Sequence, residues 1–170
     1  DGQVVSMQAN STFQVREYNY EPKKAEESRV LFAMFKGGMR FITGEIGQRN
    51  KGAFRLATPH ATIGIRGTDF LVAMANNSTY SQVISGSISL TNSAGVAVVT
   101  AGQTALTSSA TALTTTVPAA SAPAGAFSQV AAIPVPPAVP APLPPPPAAG
   151  AAVSGSTAAT GTTATTANAA

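Results

Sequence analysis

His60 is the only histidine in this chain, and there is no cysteine. Nucleophilic catalysis needs a base held beside a nucleophile, and a metal centre needs several converging ligands. A lone imidazole in a thiol-free chain meets neither requirement, so His60 reads as a surface or strand residue. Glu26 and Glu27 are adjacent and cannot share a helical face; with Lys23 and Lys24 they read as a solvated loop. Asp69 follows Thr68 in a glycine-punctuated stretch, which suits a turn-former better than a general acid. Gly37-Gly38 and the spacing Gly44-x-x-Gly47 lack the lysine and the helix that a phosphate loop requires. Sequon matches at Asn10, Asn76 and Asn77 are short enough to arise by chance, and the Ser/Thr/Pro-rich tail is the better glycan acceptor on composition. The expectation is a chain that is not an enzyme, with no catalytic residue, no metal site and no cofactor.

The distribution of charge says more. Every Asp, Glu, Lys, Arg and His lies between Asp1 and Asp69, and Phe70 to Ala170 contains none. A soluble surface ordinarily carries about a quarter or more charged residues, which keep chains apart and blunt sheet edges. An uncharged stretch of this length must be covered, be solvated by hydroxyls, or adhere to something. Ten Lys and Arg against seven Asp and Glu give +3 and a pI near 9.6. Nucleic-acid binding needs clustered cations, and Lys23-Lys24 is answered at once by Glu26-Glu27, so no nucleic-acid partner is expected. No apolar window reaches the ~18 residues of a membrane span. Asp1 is not an initiator methionine, so any export signal is expected upstream.

The elements that must carry these residues are strands. Gln3–Ala9 and Thr12–Tyr20 alternate apolar and polar residues, and Arg29–Lys36 is an apolar run suited to burial on both faces. Gly37-Gly38 is expected to turn the chain into Met39–Ile42, and Gln48–Gly52 to be a loop. Ala53–Thr58, Ala61–Ile65, Asp69–Ala75, Tyr80–Ile84, Ser87–Thr91 and Val96–Thr100 follow as short strands divided by turn residues. Short strands at this spacing indicate a sandwich, barrel or solenoid. Because Ser87–Asn92 and Val96–Ala101 read as successive rungs, the expectation is all-β, with a β-solenoid or β-roll-like body. Composition places its end at Leu106, and residues 107–170 read as a separate Ala/Thr/Pro-rich extended tail. Within it Phe127, Val130 and Ile133 sit close together between Pro123 and Pro134. That segment is expected to dock as a short strand on a β-body, with the prolines of 134–147 extended along a surface.

Phe54-Arg-Leu-Ala-Thr-Pro-His-Ala-Thr-Ile-Gly-Ile-Arg-Gly-Thr-Asp-Phe70 resembles the central motif of FecR-type domains. Asp1-Gly2-Gln3 resembles that family's opening turn, and Arg29–Gly44 its "L-x-x-G-x-x-R-x-x-T-G" segment. Ser85-Gly86-Ser87-Ile88 and Ala101-Gly102-Gln103 resemble its closing turns. The resemblance spans Asp1–Leu106 and implies an exported, bacterial, non-enzymatic domain with a solenoid-like body, of which N-terminal strands are expected to be missing. On their own chemistry, Thr58 and Pro59 end a strand, Gly64 and Gly67 permit positive φ or close backbone packing at tight turns, and Thr68 and Asp69 bond back to nearby amides. Phe70 returns to the core. Together with Arg66 these residues form a fold signature, not an active site.

Two functions follow. The uncharged strands and tail suggest a structural protein, extracellular or on the cell surface, pairing with copies of itself into a filament, sheath or matrix. The alternative is a periplasmic signalling module of the FecR kind that binds an outer-membrane receptor or other envelope protein.

Overall fold

The computed structural model describes residues 1–21, 23, 24 and 27–132. Nine strands follow in order: β1 (Val4–Met7), β2 (Thr12–Asn19), β3 (Arg29–Ile42), β4 (Phe54–Ala57), β5 (Thr62–Ala75), β6 (Ser78–Asn92), β7 (Gly95–Thr100), β8 (Thr104–Thr107) and β9 (Thr115–Val117). A short helix α1 (Glu45–Arg49) lies between β3 and β4. A single helical turn α2 (Ser128–Ala131) closes the described chain.

Three of these strands, β3, β5 and β6, run for 14, 14 and 15 residues, well beyond the usual five or six. Each was expected as two short strands with a turn between. They are continuous because the dividing glycine makes a bend within the ladder instead of ending it. Gly37, Gly67 and Gly86 have φ of +91°, +61° and +77°, a region closed to most side chains. The core pattern changes phase at each bend. In β3 the side chains that join the main core are Val30, Phe32 and Met34, then Met39 and Phe41; in β5 they are Ile63 and Ile65, then Phe70 and Val72. β6 passes likewise from Val83 to Ile88 and Leu90. An extra residue at a bulge shifts period two by one, and so keeps apolar side chains inward on both sides of a corner.

The bends fold the sheet over itself. Phe32 and Phe41 would lie about 30 Å apart on a straight strand, yet their ring centroids are 6.2 Å apart. The first layer is β2, residues 29–36 of β3, β4, residues 62–66 of β5, residues 87–92 of β6, and β7. The second is β1, residues 37–42 of β3, residues 69–75 of β5, residues 78–85 of β6, β8 and β9. Phe13, Phe32, Phe41, Phe54 and Phe70 interlock between them, with Phe41 and Phe70 stacked at 5.3 Å.

The body is therefore all-β, as expected, but it is an open mixed sheet bent into two layers, without the stacked rungs of a solenoid. Among the described residues every strand pairing is antiparallel except β3 with β4. The two segments expected as successive rungs are partners in one hairpin, with Ser87 opposite Thr100 and Asn92 opposite Gly95. Part of the expected loop at Gln48–Gly52 belongs to α1, whose Ile46 is buried against the core. The sheet also passes the compositional boundary at Leu106, because β9 pairs with β8 through Thr115 to Val117. Hydroxyl-rich sequence suits an edge strand, where one side of the ladder faces water. The proline-rich stretch 134–147 lies outside the described residues.

Candidate functional site

The motif residues meet at one corner of the folded sheet. Arg40 on β3 donates from Nε to Asp69 Oδ1 at 3.0 Å and from Nη2 to Oδ2 at 2.7 Å. This is a two-pronged pair in which the side chains are only 10% and 16% exposed. Asp69's hydrogen bonds hold the Arg40 guanidinium above its ordinary pKa, against the opposing effect of burial. Beside it, Thr43 Oγ1 donates to the Thr68 carbonyl at 2.7 Å and accepts from the Thr68 amide at 2.9 Å. The Thr43 amide donates to the same carbonyl at 2.9 Å. These bonds satisfy the backbone where the Gly67 bulge interrupts the ladder.

Asp1 reaches this corner too. Its carbonyl accepts from the Glu45 amide at 2.8 Å, and its Oδ1 accepts from the Gln3 amide and the Tyr18 hydroxyl, both at 3.1 Å. Gly44 makes room for that turn, since a Cβ there would lie 2.5 Å from the Asp1 carbonyl oxygen.

The remaining motif residues are spent on local geometry. Thr58 Oγ1 donates to the Ala61 carbonyl at 2.8 Å and accepts from the amides of Ala61 and His60 at 3.1 and 3.4 Å. That closes the β4–β5 connection, with Pro59 exposed at its tip. His60 Nδ1 shares a 2.9 Å hydrogen bond with Thr79 Oγ1, and Thr79 is 0% exposed. Phe70 is in the core. Among the described residues no three of His, Cys, Asp and Glu are placed to hold a metal.

Gly64 serves close packing and not a turn. It lies inside β5 with no positive φ, so it forms no tight turn. A Cβ there would stand 2.8 Å from Ser89 Oγ on the neighbouring strand. Its bareness forms the floor of a groove of about 360 Å³ on the outer face of the first layer, lined by Lys51, Arg55, Thr62, Gly64, Ser89 and Thr91. Arg66, two residues on, is exposed on the same face of β5.

In the tail, Phe127 is half-buried and stands at the N-cap of α2, Val130 within α2 is 0% exposed, and α2 packs against β3. The segment is a turn of helix and not the expected strand; its Ile133 lies outside the described residues.

Reading the sequence did not single out Arg40, Thr43, Lys51 or Arg55. Arg40 and Thr43 do stand in the quoted R-x-x-T-G segment, and an unpaired charge in an apolar run is a signal that a buried partner exists. Lys51 and Arg55 carry no such signal, because only β4–β5–β6 pairing brings them beside Gly64 and Ser89.

Comparison with known proteins fits this architecture. The family described as FecR protein matches residues 1–89, and the chain belongs to that family. Two crystal structures of a candidate anti-sigma factor from Parabacteroides distasonis share the fold. Each has a TM-score of 0.51 at 18% identity, covering 70% of this chain and 53% of that one. The chain thus spans about half the length of that protein. No curated protein matches the sequence.

Proposed function

We propose that this chain is a non-catalytic envelope domain of the FecR signalling kind, acting in the periplasm by holding a partner protein. The observation that carries this reading is the family match over residues 1–89. The use of the motif supports it: both Asp69 oxygens are engaged by Arg40, and His60 is bonded to a hydroxyl buried away from solvent. Asp69 is thereby committed to a structural ion pair and not to proton transfer. The shared fold with a candidate anti-sigma factor points to the same class of role. Among the described residues no helix is long and apolar enough to cross a membrane.

The test is made in the encoding bacterium. Its coding region is deleted, and transcripts of envelope genes under alternative sigma factors are measured before and after complementation. A reproducible shift in one sigma-dependent set, restored by the wild-type chain, is expected. An unchanged transcript profile would count against signalling.

One observation favours self-assembly as a second reading: β7 is an uncharged edge with Val96 and Val98 exposed. Sedimentation of the purified chain separates the two. A monomer is expected here, and ordered polymers would favour the filament.

A further inference from the structure

The outer face of the first layer carries charge that nothing in the described structure answers. Successive strand pairings align Leu31, Arg55, Gly64, Ser89 and Val98 in one row across β3, β4, β5, β6 and β7. Arg55 and Lys51 flank the groove floored by Gly64, and Arg66 stands two residues further along β5 on the same face. Arg29 lines the adjoining hollow of about 490 Å³, which also includes Arg55. Among the described residues none of these four cations makes an ion pair, whereas Lys24, Arg40 and Arg49 all do. The one acid lining either hollow is Glu17, at the far edge. Arg29, Lys51 and Arg55 against Glu17 leave the two hollows with a positive excess, and Arg66 beside them adds to it.

The character of the face changes along the row. Beyond the cations come the hydroxyls of Thr62, Ser87, Ser89 and Thr91. Val96 and Val98 then follow on the β7 edge, 67% and 58% exposed, in a region with no charge at all. Gly64, whose missing Cβ leaves room for Ser89 Oγ on the neighbouring strand, lies at the centre of this gradient.

We propose that this groove binds an acidic, extended segment of a partner protein, carboxylates over Lys51, Arg55 and Arg66 and an apolar end against Val96 and Val98. Arginine suits the role because its planar fork takes a carboxylate through two parallel bonds. The ordered progression from cationic to apolar fits a polypeptide of mixed chemistry better than a uniformly charged glycan or lipid headgroup. This inference rests on the signalling reading only for the origin of the partner.

The probe is a short labelled peptide that alternates glutamate with threonine and ends in valines, compared with its Glu→Gln counterpart. Fluorescence anisotropy with the full chain measures both, at low and high salt. Lys51 and Arg55 are solvent-facing, so the double variant Lys51→Gln/Arg55→Gln is expected to keep its thermal unfolding temperature. The acidic peptide is expected to bind at least about tenfold more tightly than the glutamine peptide, and to lose a similar factor in the double variant and at high salt. Equal binding of the two peptides, or an unaffected double variant, overturns the proposal. So does binding of lipopolysaccharide vesicles with no binding of the peptide, which would assign the face to a glycan or lipid polyanion. Complementation with the folded double variant keeps the two readings apart. If it restores the transcript profile while the peptide result fails, the groove assignment falls and the signalling role stands.

Discussion

Gly67 and Gly86 bend neighbouring strands at the same corner, yet they should respond very differently to substitution. Both have positive φ, so any ordinary side chain incurs the left-handed penalty of roughly 1–2 kcal/mol. At Gly67 that is all: a Cβ would meet nothing within 4 Å. At Gly86 a Cβ would stand 2.2 Å from the Gly67 carbonyl oxygen and 2.7 Å from Thr68 Cγ2. The blocking atom is backbone, so relief means moving β5 away from β6 at the bulge, which adds about 1–3 kcal/mol as overpacking does. Gly67→Ala should therefore cost about 1–2 kcal/mol and Gly86→Ala about 2–5 kcal/mol, against a total of roughly 5–15 for a typical domain. Asparagine sharpens the contrast because it tolerates the left-handed region, as Asn10, Asn76 and Asn77 do in this chain. Gly67→Asn should recover most of the wild-type stability, and Gly86→Asn should not. Urea unfolding followed by circular dichroism, at constant m-value, measures the differences. If Gly86→Asn proves as mild as Gly67→Asn, the steric argument for this corner is wrong.

The Arg40–Asp69 pair gives a second prediction. Arg40→Met leaves a largely buried carboxylate without its partner and should cost about 3–5 kcal/mol, and adding Asp69→Leu should recover part of it. Additive single-variant effects in the double-mutant cycle would show that the pair is not coupled. Truncation before Pro118 removes the fully buried Val130 and should lower stability by about 1.5–3 kcal/mol; an unchanged unfolding midpoint would make the segment a mere linker. Alkaline pH gives a fourth. The Tyr20 hydroxyl donates to Glu45 at 2.8 Å, which raises its pKa, and burial raises that of Tyr18. A raised folded-state pKa means stability present below the unfolded value of 10.0 and lost as pH climbs past the folded value. Wild type should lose unfolding temperature above pH 10 more steeply than Tyr18→Phe/Tyr20→Phe. Coincident curves would refute the assignment.

Much of this was written locally and could be read locally. Period two named the strands, because a half-buried strand must alternate its side chains whatever it pairs with. The absence of cysteine and the single His60 set the expectation of a chain without catalysis or metal before any fold was known. Phe54 to Phe70 resembled FecR-type domains, and the match over residues 1–89 confirms the family. What the sequence could not decide was what a glycine does once its strand is paired. Gly37, Gly67 and Gly86 looked like turns because positive φ is a local property. Whether the ladder stops or resumes past such a residue depends on partners tens of residues away. The same limit left open whether Gly64 served a turn or close packing, and hid the pairing of Arg40 with Asp69 across 29 positions. The cationic groove was equally out of reach, since Arg55 and Arg66 come onto one face with Ser89 and Val98 only through the register of four strands. Tertiary structure alone converts a scatter of unremarkable charges into one face.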